Sequence, residues 1–212
     1  MLKKANDLID RADKLDGALA NLHAFRSLVE ELDRRCPIPF SPHLGPIRTV
    51  LAASLLSTIA LIIAILDSKG GDRASIGQVI KLLGDARLEN YFLEKRGQGC
   101  RAAVMRSKLS EIRDQYSKVT DSDSFRRVVQ LRHDEIGHLL LRDEETPASE
   151  HADVFWLADE AERLVLLLYE GLAMPLEPHF VVMRRETDAN AKLFWDTYLA
   201  AIGLPEDMRG LQ

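Results

Sequence analysis

Val50 to Leu66, VLAASLLSTIALIIAIL, is a run of 17 residues without a charge, and no other stretch limits the available folds as strongly. A helix that is apolar all round has to be surrounded by protein or by lipid. A spanning helix needs about 20 apolar residues, so this run stands at the short edge of that length. It also carries Ser54, Ser57 and Thr58 at i, i+3 and i+4, a small-residue stripe on an otherwise oily helix. The rest of the chain reads as soluble, so the expectation is a buried central helix, with a membrane span as the alternative.

A buried helix needs a coat, and the flanking sequence offers one made of helices. No stretch alternates apolar and polar residues in the manner of a strand. From Leu2 to Arg35, Leu8, Leu15, Leu22 and Val29 recur every seven residues, with Leu19, Phe25 and Leu32 beside them. That is an amphipathic helix with a narrow seam, expected to pack on its own bundle rather than in an intermolecular coiled coil. The segment CPIPFSPHLGP, Cys36 to Pro46, holds four Pro and one Gly in 11 residues and ends it. The apolar helix follows over about Ile47–Asp67. After the loop SKGGDRA, Ser75 and Gln78 form a capping box for a short helix ending near Leu83.

Further helices are expected over about Asp85–Lys95, Arg101–Lys118 and Asp123–Leu141, the last after TDSDS, a cluster of N-cap residues. The loop RDEETPASE leads to His151–Gly171, which carries Val154, Leu157, Ala158, Ala161, Leu164, Val165 and Leu168 on one face. MPLEPHF breaks the chain again. A last helix, about Thr187–Ile202, stops at GLPED. No linker is long enough to force a boundary. The expectation is one all-α domain over residues 1–212, a bundle of six to eight helices. A long N-terminal helix covers 2–35, a core bundle about 45–171, and a C-terminal helical extension 181–203.

The chain has 212 residues, a net charge of −5 and a pI near 5.7, which argues against a protein that coats nucleic acid through its overall charge. Two cysteines, Cys36 and Cys100, make no disulfide framework, and a reducing cytosol is the expected compartment. Met1 to Lys14 has no apolar core and reads as no signal peptide. A cytoplasmic protein without membrane association is expected.

The chemistry concentrates in LRHDEIGHLL, Leu131 to Leu140. On a helical wheel, Phe125, Val128, Val129, Ile136, Leu139 and Leu140 fall within roughly 80° of Arg132. Arg132 therefore sits inside the apolar stripe, whereas Arg126, Arg127 and Gln130 take the other face. Burying a guanidinium there costs several kcal/mol unless it is paired or lines a wet groove. A buried ion pair, an Arg snorkelling from the bundle edge and a functional groove all satisfy that demand. His138 lies about 120° around from Arg132, so the two border one groove if the helix loosens at Gly137 or a second subunit completes the site. Asp134 stands one turn before His138, within pairing reach, where a carboxylate raises the His pKa and orients its ring.

Asp134 and His138 would give a metal two ligands, but no second carboxylate–His pair stands at ligand spacing, and HDEIGH lacks the His pair of zinc-protease helices. No metal and no other cofactor is expected. Lys95, Arg96, Arg101, Arg106 and Lys108 follow one another without an intervening acid. With Arg126 and Arg127 they would form a phosphate-holding patch if their helices are neighbours. The alternative is a solvated basic face.

Arg132, His133 and His138 together resemble the motif of the HEPN superfamily, an Arg followed by a polar residue and, four to six residues after the Arg, a His. The apolar helix running into ILDSKGGDRASIGQVIKLL resembles the helix, Asp-Gly loop and capped short helix of its abortive-infection branch. The resemblance covers about residues 45 to 170. It implies a helical bundle, a homodimer with the motif at the dimer cleft, and metal-independent cleavage of RNA in a toxin or phage-defence system, with an antitoxin protein as a partner. On this resemblance Arg132 stabilises charge on the phosphorus oxygens, His138 moves the proton and His133 positions the pair. Asp134 and Glu135 stand where relatives often carry a basic residue, and modulate the site. The alternative it implies is a non-catalytic helical dimer that binds a nucleotide, RNA or a partner protein.

Overall fold

A computed structural model describes residues 1–35, 45–67, 74–138, 148–175 and 177–201, without the side chains of 33, 45–48, 133–138 and 148–151. Among the described residues the protein is all helical: α1 Leu2–Arg35, α2 Gly45–Leu66, α3 Ile76–Leu83, α4 Ala86–Arg96, α5 Arg101–Thr120, α6 Asp123–His138, α7 Ala148–Gly171 and α8 His179–Ala201. The segments CPIPFSPHL, SKGGDR and Leu139 to Pro147 lie outside the described residues, and with the last of them Leu139 and Leu140 of LRHDEIGHLL.

The heptad leucines of α1 are the spine of the core. Leu8, Leu15, Leu19, Leu22, Val29 and Leu32 are all buried, and Phe25 is half-buried. They pack within the chain, against α8, α2 and α7. The inner face of α7 meets them: Val154, Leu157, Ala158, Ala161, Leu164, Val165 and Leu168 are buried as one surface. Gly171 lets α7 approach α5, since a Cβ there would lie 2.8 Å from Leu109 Cδ2. The helix end itself is made two residues later. Ala173 adopts φ 48°, Met174 N–H donates to Tyr169 O at 2.9 Å and Ala173 N–H to Glu170 O at 3.1 Å, a Schellman cap built on an alanine where glycine is usual.

α2 is covered on one side. Thr58, Ile59, Ile62, Ile63, Ile65 and Leu66 are buried, and α2 touches α1, α7, α6 and α3. Ser54 and Thr58 face inward, with the Thr58 hydroxyl donating to Ser54 O at 2.8 Å, so this buried hydroxyl is satisfied within the helix. Tyr116 Oη from α5 donates to Leu66 O at 2.9 Å and closes the C-terminus. The other side is open: Ala53 and Ala60 are exposed, and Leu56, Ser57 and Ala64 half-buried. Thr49–Leu66 is long and apolar enough to cross a membrane, and 39% of it is buried in the chain. The expectation of burial all round holds for the inner face alone.

Two N-termini follow their sequence signals. Ser75 Oγ accepts from Gln78 N–H at 3.3 Å to start α3, and Ser122 Oγ accepts from Phe125 N–H at 3.1 Å to start α6. α8 departs from expectation. It begins at His179, eight residues before Thr187. The cause is a carboxylate from α1: Asp16 accepts from His179 N–H and Phe180 N–H, both at 2.8 Å, and caps the helix from 163 residues away. α8 then lies along α1, with Trp195 and Leu199 buried beside Leu32 and Trp195 Nε1 donating to Leu28 O at 2.8 Å.

Candidate functional site

α6 carries the motif, and its outer face is anchored before the motif begins. Arg127 Nε donates to Asp153 Oδ2 at 2.6 Å and its second amine to Oδ1 at 2.8 Å, a two-pronged bond to α7. Ser124 Oγ adds a third hydrogen bond to the same carboxylate at 2.7 Å. The Arg127 fork, with Ser124 helping, holds the Asp153 carboxyl below its ordinary range. Arg126 is held locally by Asp123 at 2.7 Å and by Asp121 O at 2.9 Å. Both arginines hold a carboxylate while their side chains stay more than half exposed.

Further along, α6 turns its apolar arc inward. Val128 is 1% exposed, and Phe125, Val129 and Leu131 pack against the core, while Gln130 is exposed. Arg132 falls within about 40° of Val128 on this arc and is half-buried. No described side chain forms an ion pair with it. His133, Asp134, Glu135 and His138 follow on the α-helical backbone, Gly137 included, and their side chains lie outside the described residues. The helix thus reaches His138 without the loosening considered at Gly137. Arg132 and His138 are on one helix, about 120° apart.

The remaining basic residues divide. Lys108 is taken by Glu170 at 3.1 Å and Glu111 at 3.3 Å, and Arg106 is exposed on α5. Lys95, Arg96 and Arg101 converge, with Gln98, Ala173 and Pro175, on an open cleft of about 470 Å³ where α4, α5 and the end of α7 meet. Arg96 is fixed there: one amine donates to Leu172 O at 3.1 Å, and the guanidinium lies 5.5 Å from the centroid of Phe92. The N-terminus of α5 at this cleft has no side-chain cap, although Arg101 N–H donates to Gln98 O at 3.2 Å, and the helix dipole adds positive character there. Arg126 and Arg127 stand at the other end of α5, about 30 Å away along a 20-residue helix. The seven cations do not form one patch.

A second pocket, about 320 Å³, adjoins the first and is lined by Asp13, Asp16, Tyr169, Glu177 and His179, with Arg96 and Pro175 shared. Burial and the neighbouring Asp16 and Asp13 carboxylates push the Tyr169 phenol up, so it stays protonated and donates toward both. Sequence reading did not find this pocket. Asp13 and Asp16 come from α1, Tyr169 from α7 and Glu177 from the connection between α7 and α8, and the only local sign was the break at MPLEPHF. No group of three or more His, Cys, Asp or Glu residues at metal-binding distance occurs among the described residues.

No family model matches the chain, and no curated protein or solved structure matches it either.

Proposed function

We propose that the protein is a metal-independent endoribonuclease of the HEPN type, acting in a toxin or phage-defence system, with its site on α6. The observation that carries this reading is Arg132 on the inner arc of α6, half-buried and without a described carboxylate partner. A guanidinium in that position is costly unless something anionic visits it, and its fork suits the oxygens of a phosphodiester in the transition state. His138 is assigned the proton transfer that lets the RNA 2′-OH attack the adjacent phosphorus; His133 positions the pair, and Asp134 and Glu135 tune it.

One helix offers a single motif His at the Arg, whereas cleavage uses a base and an acid. A homodimer meets that need by bringing two copies of α6 to one cleft. The open apolar face of α2, Ala53, Leu56, Ala60 and Ala64, lies on the helix next to α6 and is assigned to the second copy. The same packing would cover the face that otherwise qualifies for lipid, in keeping with a cytoplasmic protein. An antitoxin protein is the further partner this reading calls for.

A non-catalytic helical dimer that binds a nucleotide, RNA or a protein partner is the second reading. It is favoured by the pairing of Lys108, Arg126 and Arg127 with carboxylates, which thins the surface left for RNA. Incubation of the purified protein with RNA in EDTA separates the two. Cleavage leaving 2′,3′-cyclic phosphate ends is expected of the nuclease, and intact RNA at every protein concentration is expected of the binding module.

A further inference from the structure

Two clefts of opposite charge meet at Arg96. On one side stand Lys95, Arg96 and Arg101, with no carboxylate among the described residues of the lining. On the other stand Asp13, Asp16 and Glu177, with His179 and the shared Arg96. Arg96 is pinned in the shared wall by Leu172 O and Phe92. Lys95 and Arg101 are exposed, and no described carboxylate pairs with either, in contrast to Lys108, Arg126 and Arg127.

This arrangement discriminates between anions by where their charge ends. An internal phosphodiester carries one charge and continues in both directions, so a strand running through the basic cleft would meet three carboxylates beyond Arg96. A terminal phosphomonoester carries up to about two charges and three acceptor oxygens, and stops. We infer that the Lys95–Arg96–Gln98–Arg101 cleft holds a terminal phosphomonoester, and that the carboxylate wall beyond Arg96 bars a strand from running on. On the RNA reading above, on which the choice of strand rests, the ligand is the phosphorylated end of an RNA; a free phosphomonoester offers the same chemistry.

Binding is measured by fluorescence anisotropy with a short 2′-O-methyl oligoribonucleotide, which resists 2′-OH cleavage, phosphorylated at both ends or carrying hydroxyl ends. The phosphorylated strand is expected to bind about tenfold tighter, the scale of one to two charge-assisted hydrogen bonds. The preference is expected to fall to parity in Lys95→Gln/Arg101→Gln, which alters exposed side chains, and to narrow in Glu177→Gln. Equal affinity of the wild type for both strands overturns the assignment. Ribose 5-phosphate as competitor distinguishes the sources: displacement only at large excess identifies a strand end, and displacement at concentrations near the strand's identifies a free phosphomonoester. Lost end preference with RNA cleavage intact removes this cleft alone; absent cleavage with end preference intact removes the nuclease reading alone.

Discussion

Asp16 closes the start of α8 from the far end of the sequence. It is 7% exposed and takes two backbone N–H donors while Tyr169 Oη stands 3.3 Å from it. Removing the carboxylate leaves two N–H groups without that acceptor, the one at Phe180 buried, so Asp16→Ala is expected to cost about 2 kcal/mol in denaturant unfolding, with early loss of amide protection at His179 and Phe180. Undiminished stability would show that the cap is idle. Asp153 makes a second test, through pH. Arg127 and Ser124 hold its folded-state carboxyl below the unfolded value, so its contribution is present at neutral pH and is lost as pH falls through the folded value, below about 4. The melting temperature of Asp153→Asn should therefore trail that of the wild type at pH 7, and the gap should close as pH falls below the ordinary carboxylate range. A gap constant with pH would exclude this linkage. Neither role was visible in the sequence, because Asp16 and Asp153 look like ordinary helix-surface acids until α8 and α6 are packed beside them.

At the scale of elements, legibility follows how local each cause is. The α1 seam, the Ser75 cap and the inner face of α7 depend on residues within a few turns, and each is where the periodicity places it. The beginning of α8 depends on α1 and was missed by eight residues. The basic run from Lys95 to Lys108 looked continuous, but helical geometry and the acids of α5 and α7 divide it, leaving Lys95, Arg96 and Arg101 together. The apolar character of α2 was plain, while its open outer face could be seen only once the inner contacts were known. That face yields a prediction. If α2 packs on its counterpart in a second copy, Ala60→Glu places a charge in the seam and converts the dimer to monomer in light scattering, with the melting temperature of the monomer little changed. A monomeric wild type would contradict the arrangement.

Across the whole molecule the net charge is −5, and among the described residues ion pairs recur between the helices. Arg26 with Asp159, Arg113 with Glu89, and Arg127 with Asp153 tie helix to helix. Against that background two places stand apart: Arg132 on the inner arc of α6, and the cleft around Arg96. The sequence marked the first through an Arg on the wrong face and the second only as a run of basic residues. The proposed function requires α6 to be a catalytic helix rather than a structural one. The most direct measurement is cleavage of RNA in EDTA by the wild type, His138→Ala and Arg132→Ala, each with its melting temperature. Cleavage by the wild type is expected, with a loss of at least about a hundredfold in His138→Ala at an unchanged melting temperature. Full activity in both variants, or no cleavage by the folded wild type, would contradict the proposed function.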